Sequence, residues 1–154
     1  MAKMIVFDMD GTIANLYGVA GWLHMLQAED VTPYEIAEPL YNMKELSNIL
    51  LDLKMLGGFR IAVTSWTSKG GSDEYNKAVA KAKKDWLDRF CFPYDELHLV
   101  EYGTSKSECT AYENDFQVLI DDDKEVRNSW VLGNTINAKE NILPFLKRLV
   151  NAYI

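Results

Sequence analysis

The sequence is poor in the residues from which thiolate metal sites, disulfide scaffolds and membrane spans are built. Its 154 residues include two cysteines, Cys91 and Cys109, and two histidines, His24 and His98. The cysteines have neither CxxC spacing nor neighbouring cysteine or histidine companions, which excludes a zinc ribbon and a disulfide framework and leaves two reduced, structural thiols. The histidines have no spaced partners, so neither is a candidate ligand or base. Cations are also scarce, with 16 Lys and Arg against 23 Asp and Glu and a net charge of −7. That balance disfavours a nonspecific grip on a nucleic-acid backbone and makes a nucleic-acid polymer a poor expected partner. No apolar run approaches the roughly 18 residues that a membrane span requires. Met1-Ala2-Lys3 leads into an apolar strand without the apolar core and cleavage site of a secretory signal, so a cytoplasmic protein is expected. There are no internal repeats and no low-complexity tracts.

What is there is a chain 48% hydrophobic and 12% aromatic, the size of one ordinary domain with a real core. It is organised around its first strand. Lys3 to Phe7 is a short run with β-branched members, bounded by a turn at Gly11, and it delivers Asp8 and Asp10 to its carboxyl end. Two acids so close repel unless a cation lies between them or one keeps its proton, and both conditions suit chemistry on a phosphate ester.

The rest of the chain alternates helices with strands. Residues 13 to 41 have no long period, and are read as a small helical insertion with one helix over Ala20 to Ala28 and another started by Thr32 as N-cap, Pro33 and Glu35. Asn42 with Glu45 caps a helix whose apolar positions run from Met43 to Leu56 and which Gly57-Gly58 ends. Phe59 to Val63 is a second strand closing on Thr64-Ser65. Ser72 caps a long helix with Tyr75, Val79, Ala82, Trp86 and Phe90 on one face and the solvated stripe Lys77, Lys81 and Lys84 on the other. Leu97 to Val100 is a third strand, followed by a loop with Lys106 and a short helix near Ser107 to Tyr112. Phe116 to Ile120 is a fourth strand, ending in Asp121-Asp122-Asp123. A short helix to about Trp130, a weak edge strand near Asn134 to Ile136 and a final helix from Asn141 complete the pattern. It predicts an α/β fold, a Rossmann-like parallel sheet with right-handed crossovers and helices on both faces.

In such a sheet the strand carboxyl ends share one edge, where ligands bind. That edge would collect Asp8, Asp10, Thr64, Ser65, Lys106, Asp121 and Asp122. A phosphate needs a balancing cation, donors for its oxygens and an in-line nucleophile, and this set supplies all three.

These motifs, in this order, resemble the haloacid dehalogenase superfamily, and in particular its phosphatases. The correspondence is Asp8-Met9-Asp10-Gly11-Thr12, the apolar strand ending in Thr64, Lys106, and Leu119-Ile120-Asp121-Asp122. The resemblance implies one domain, with a core of residues 1–13 and 42–154 and a small cap inserted at about 14–41. It implies that Asp8 attacks phosphorus and forms an aspartyl-phosphate. Asp10 would protonate the leaving alcohol and then activate water. Mg²⁺ would be held by the Asp8 carboxylate, the Asp10 backbone carbonyl and the Asp122 carboxylate, with Asp121 supporting from behind. Thr64 would donate to the phosphoryl oxygens, with Ser65 beside it, and Lys106 would balance charge, with Lys84 and Lys69 as other candidates for that role. Lys84-Asp85-Trp86-Leu87, the Asp121-Asp122 strand end, and Trp130 with Gly133 look most like the deoxyribonucleotidase-like branch. The expected substrate is therefore a small phosphate ester, foremost a nucleoside monophosphate. A phosphorylated nucleic-acid end, a phosphoprotein, or a binding protein that has kept the metal site is the alternative.

Single motifs have plainer readings. An EF-hand with Gly11 at its sixth position would need Val6 and Tyr17 as ligands, which neither can be. Asp123 reads as a helix cap. Tyr17, Trp22 and Trp66 either stack on a nucleobase or simply pack the insertion onto the core.

Overall fold

A computed structural model describes residues 3–111 and 116–153. At its centre is a five-stranded, all-parallel sheet formed by β1 (Lys3–Phe7), β4 (Phe59–Trp66), β5 (Glu96–Val100), β6 (Phe116–Asp121) and β7 (Gly133–Asn137), in the order β5-β4-β1-β6-β7. The chain leaves β1 towards β4 and β5, then crosses back to β6 and β7. The order therefore reverses at β1, and the carboxyl ends of β1 and β6 flank the crevice where α/β sheets take their ligands.

Burial explains the strand sequences. β1 is central and covered on both faces, so it reads as a continuous apolar run. Ile5 and Phe7 join Ile61, Val63, Val118 and Ile120 in the larger core, under α3 (Met43–Gly57) and α7 (Leu143–Tyr153). Met4 and Val6 join Ala62 and Leu119 on the opposite face, under Val126 of α6 (Lys124–Ser129) and Trp130. Helix α3 starts on the Asn42 side chain, which accepts from the Glu45 N–H, and ends at Gly58, whose φ of 68° is cheap only for glycine. Ser72 caps α4 (Asp73–Arg89) in the same way through the Tyr75 N–H.

Segment 14–41 differs from its sequence reading in detail. It holds a 3₁₀ turn (Leu16–Gly18), α1 (Trp22–Gln27), α2 (Thr32–Ile36) and a two-residue antiparallel ladder between β2 (Ala14–Asn15) and β3 (Glu38–Pro39). The ladder pins together the points where the segment leaves and rejoins the sheet. Helix α1 is shorter than Ala20 to Ala28 because Gly21, at φ 74°, precedes its first turn. Thr32 is not the N-cap of α2. Val31 holds that position without a side-chain capping bond, and Asp30 accepts from both the Thr32 N–H (2.9 Å) and the Thr32 hydroxyl (2.6 Å) just outside the helix. Further along, α5 covers Lys106–Cys109, and Tyr112, where the sequence would end this helix, lies outside the described residues. Helix α7 starts at Leu143, with Asn141 accepting from the Leu143 N–H. No helix among the described residues is long and apolar enough to cross a membrane.

Candidate functional site

Asp8 is the first residue beyond β1, and its N–H still donates to the Ile120 carbonyl at 2.9 Å, which fixes its backbone against β6. Its side chain is buried and held from two sides: Lys106 Nζ donates to Oδ1 at 2.8 Å and the Thr12 hydroxyl to Oδ2 at 3.1 Å. The turn that returns Thr12 to Asp8 requires Gly11 at φ 79°, and a Cβ there would overlap the Asp122 carboxylate. Glycine is thus needed for both conformation and space. From the end of β6, Asp121 uses both its oxygens, accepting from Lys106 Nζ at 2.8 Å and from the Asp123 N–H at 2.9 Å. Asp122 is half-buried beside Asp8. Asp123 caps α6 through the Glu125 and Val126 N–H groups, as its sequence position predicts.

Lys106 is thereby placed between two carboxylates. Burial alone would lower its pKa, but Asp8 and Asp121 together raise it, so the ammonium stays charged. Lys84 is exposed and paired with Asp88, while Lys69 lies over the Tyr102 ring at the cavity wall. Geometry thus puts Lys106, rather than either alternative, against Asp8.

One residue of consequence escaped the sequence reading. Lys83 of α4 is fully buried, and its Nζ donates to Asp10 Oδ2 at 2.7 Å, Ser65 Oγ at 2.8 Å and the Trp66 carbonyl at 2.7 Å. The signal was available, because Lys83 is four residues after Val79 and three before Trp86, on the buried stripe rather than the solvated one. The phosphate-binding candidates are placed differently from each other. Ser65 lines the cavity, whereas Thr64 is sealed, is not part of the cavity wall, and carries an Oγ1 without a hydrogen-bond partner among the described residues.

Above these groups lies a cavity of about 400 Å³. Tyr17, Trp22 and Trp66 all line it, together with Tyr102, which the sequence did not single out. Tyr17 meets Trp22 edge-on at 4.9 Å between centroids, and Trp66 meets Tyr102 at 4.8 Å. The Trp66 indole is further fixed by donating to the Thr104 carbonyl at 2.8 Å. Burial and the surrounding carboxylates push the Tyr17 phenol up, so it remains neutral.

Electrostatics shows what the site lacks. Asp8, Asp121 and Asp122 each offer an oxygen, all within 4.8 Å of one another. Four carboxylates, counting Asp10, face the two buried ammonium groups of Lys83 and Lys106, so full ionisation leaves two negative charges without a buried cation. Burial, reinforced by Asp8, raises the pKa of Asp122 from 3.8 to about 8 and that of Asp121 to about 6. Burial also raises that of Asp10, against the pull of Lys83. A divalent cation would balance that charge, and oxygen donors of this kind suit a hard ion.

These shifts fix a pH dependence. Between about pH 4 and pH 8 the folded chain holds protons that the unfolded chain has released, so the contribution of Asp121 and Asp122 to stability is complete below about pH 4 and lost as pH rises through 6 and 8. Glu29, Asp30 and Asp88, whose pKa values are lowered by hydrogen bonds, contribute in the opposite sense, but only at acid pH. In EDTA the melting temperature is therefore expected to fall between about pH 5.5 and pH 8.5. A divalent ion held by these carboxylates would compete with those protons, so added Mg²⁺ is expected to stabilise more at the higher pH, with about 2.7 kcal/mol or roughly 5–11 °C at a hundred times its Kd. A melting series at both pH values checks this, and an Mg²⁺ shift that is equal or larger at the lower pH would contradict it.

No protein-family model matches the sequence, and no curated protein matches it. Among solved structures, the crystal structure of D,D-heptose 1,7-bisphosphate phosphatase from Burkholderia thailandensis is similar, with a TM-score of 0.54 over 94% of this chain and 98% of that one. Sequence identity is 14%, so the likeness is one of fold.

Proposed function

We propose that this chain is a Mg²⁺-dependent phosphomonoesterase of the haloacid dehalogenase type that acts through an aspartyl-phosphate on a small ester, foremost a nucleoside monophosphate. The observation that carries the reading is the Asp8 carboxylate at the sheet's switch point, clamped by Lys106 and Thr12, with an Asp122 oxygen within 4.8 Å and Asp10 two residues on. The shared fold with a phosphatase agrees with it. The deoxyribonucleotidase-like branch rests on the residues alone.

In this reading Asp8 attacks phosphorus, its charge held in place by Lys106. As the P–O bond breaks, Asp10 gives its proton to the leaving alcohol, and afterwards it takes one from the water that opens the acyl-phosphate. The raised pKa of Asp10 suits the first of these steps. Ser65, which lines the cavity, donates a hydroxyl towards the phosphoryl oxygens, a role the sequence assigns first to Thr64. Asp8, Asp122 and the Asp10 carbonyl would hold the Mg²⁺, which when bound would supply charge to screen the nucleophile from the phosphate. Segment 14–41 acts as a small cap, contributing Tyr17 and Trp22 to the cavity wall.

Aromatic walls around the leaving group favour a flat one, and stacking is worth about 1–3 kcal/mol per base. Phosphate release should therefore be measured on nucleoside monophosphates, sugar phosphates and a phosphorylated oligonucleotide, with and without Mg²⁺. The expected result is Mg²⁺-dependent release concentrated on the nucleoside monophosphates, with Trp66→Ala raising KM for these roughly 5- to 100-fold. Release favouring sugar phosphates would refute the nucleotide assignment. No release from any member would leave a binding protein as the better reading.

A further inference from the structure

The Lys83 ammonium has three N–H groups and three acceptors, the Asp10 carboxylate, the Ser65 hydroxyl and the Trp66 carbonyl, all at 2.7–2.8 Å. No donor is left over for a substrate, and the side chain is sealed from solvent. The Tyr34 ring closes over it with its centroid 5.1 Å from Nζ. Whatever Lys83 contributes must pass through the groups it holds. Two of these, Asp10 and Ser65, line the cavity beside Asp8.

The effect on each follows from hydrogen-bond direction. Asp10 has one oxygen tied to Lys83, which fixes the carboxyl rotation and leaves Oδ1 as the oxygen free to face a substrate. Ser65 Oγ accepts from Lys83, so its own proton must point elsewhere and can be donated to a phosphoryl oxygen. The Trp66 carbonyl secures the end of β4, from which the Trp66 ring walls the cavity.

Resting on the phosphomonoesterase reading, we infer that Lys83 is a positioning residue, which presents Asp10 to the leaving-group oxygen and turns the Ser65 hydroxyl into a phosphate donor. Its work is needed most when the leaving group needs a proton. An alkyl ester expels an alkoxide that must be protonated as the P–O bond breaks, whereas 4-nitrophenyl phosphate expels a stable anion.

The test compares kcat/KM for a nucleoside 5′-monophosphate and for 4-nitrophenyl phosphate in wild type, Lys83→Met, Asp10→Asn and the double variant. Lys83→Met is expected to lower the alkyl ester value roughly 100-fold and the nitrophenyl value less than about 10-fold. In the Asp10→Asn background the same change should cost the alkyl ester less than about 3-fold, since the proton donor is already lost. The double variant removes a buried ion pair as a unit and is the less disruptive change for folding. Lys83→Gln, which keeps two of the three N–H donors but not the charge, gives the same comparison if Lys83→Met does not fold. Equal losses on both esters, or losses that multiply with Asp10→Asn, would overturn the role of Lys83 alone. A wild type inactive on both esters would instead overturn the phosphomonoesterase reading, and this role with it.

Discussion

Asp8→Asn is expected to abolish phosphate release, by a factor on the order of 10⁴ or more, while leaving the protein folded. The amide has the size of the carboxylate and can still accept from Lys106 Nζ and meet the Thr12 hydroxyl, so the local packing survives. It has no charge with which to attack phosphorus and is a poor nucleophile. The substitution should also relieve its neighbours. The charge on Asp8 is the largest influence after burial in raising the pKa values of Asp121 and Asp122. Without it, both should titrate closer to the ordinary carboxylate range, and the melting temperature in EDTA should fall less between about pH 5.5 and pH 8.5 than in wild type. Loss of activity with an unchanged or steeper pH slope would mean that the three carboxylates are not electrostatically coupled in the way their spacing implies.

Lys106→Met should damage stability more, because it removes the charge balance of the buried carboxylates. The ammonium is almost fully buried, and its two acceptors, Asp8 and Asp121, lie at 2.8 Å on either side. Removing one partner of a buried ion pair typically costs about 3–5 kcal/mol, which for a chain of this size is a fall of roughly 6–20 °C in melting temperature. The remaining carboxylates would then take up protons, so the loss should be smaller at about pH 5.5 than at about pH 8.5. Activity should drop by at least about 100-fold, since Asp8 loses the cation that orients it. Thermal melts at the two pH values and initial rates check the prediction, and a variant as stable as wild type at the higher pH would contradict the picture of an obligatory buried cation.

Much of the sheet was legible because β1, β4 and β6 are covered on both faces, and strands of that kind announce themselves as short apolar runs between turns. The site was legible where chemistry sits at strand ends. Asp8, Asp10, Asp121 and Asp122 follow their strands directly, so locating the strands located the acids. What stayed hidden depended on direction rather than position. Lys83 is adjacent in sequence to the exposed Lys84 but points inward, a difference of one helical step. Thr64 and Ser65 differ by one residue of strand register, and it is Ser65 that reaches the cavity wall. Tyr102 comes from the loop after β5, whose sequence has no period to reveal which way it folds. The start of α2 has a similar origin, since Thr32 already lies inside the helix and gives both its amide and its hydroxyl to Asp30.

The most direct test of the account is to trap the intermediate. A phosphoryl-labelled nucleoside monophosphate, mixed with the protein and Mg²⁺ and quenched in acid within seconds, should leave label bound to protein. In a parallel sample, reduction with tritiated borohydride, which expels the phosphate and converts the phosphorylated aspartate to tritiated homoserine, followed by peptide mapping should place the tritium at position 8, and both labels should be missing without Mg²⁺ and in Asp8→Asn. Steady turnover with no labelled protein, or label on any other residue, would contradict the assignment of Asp8 as the nucleophile.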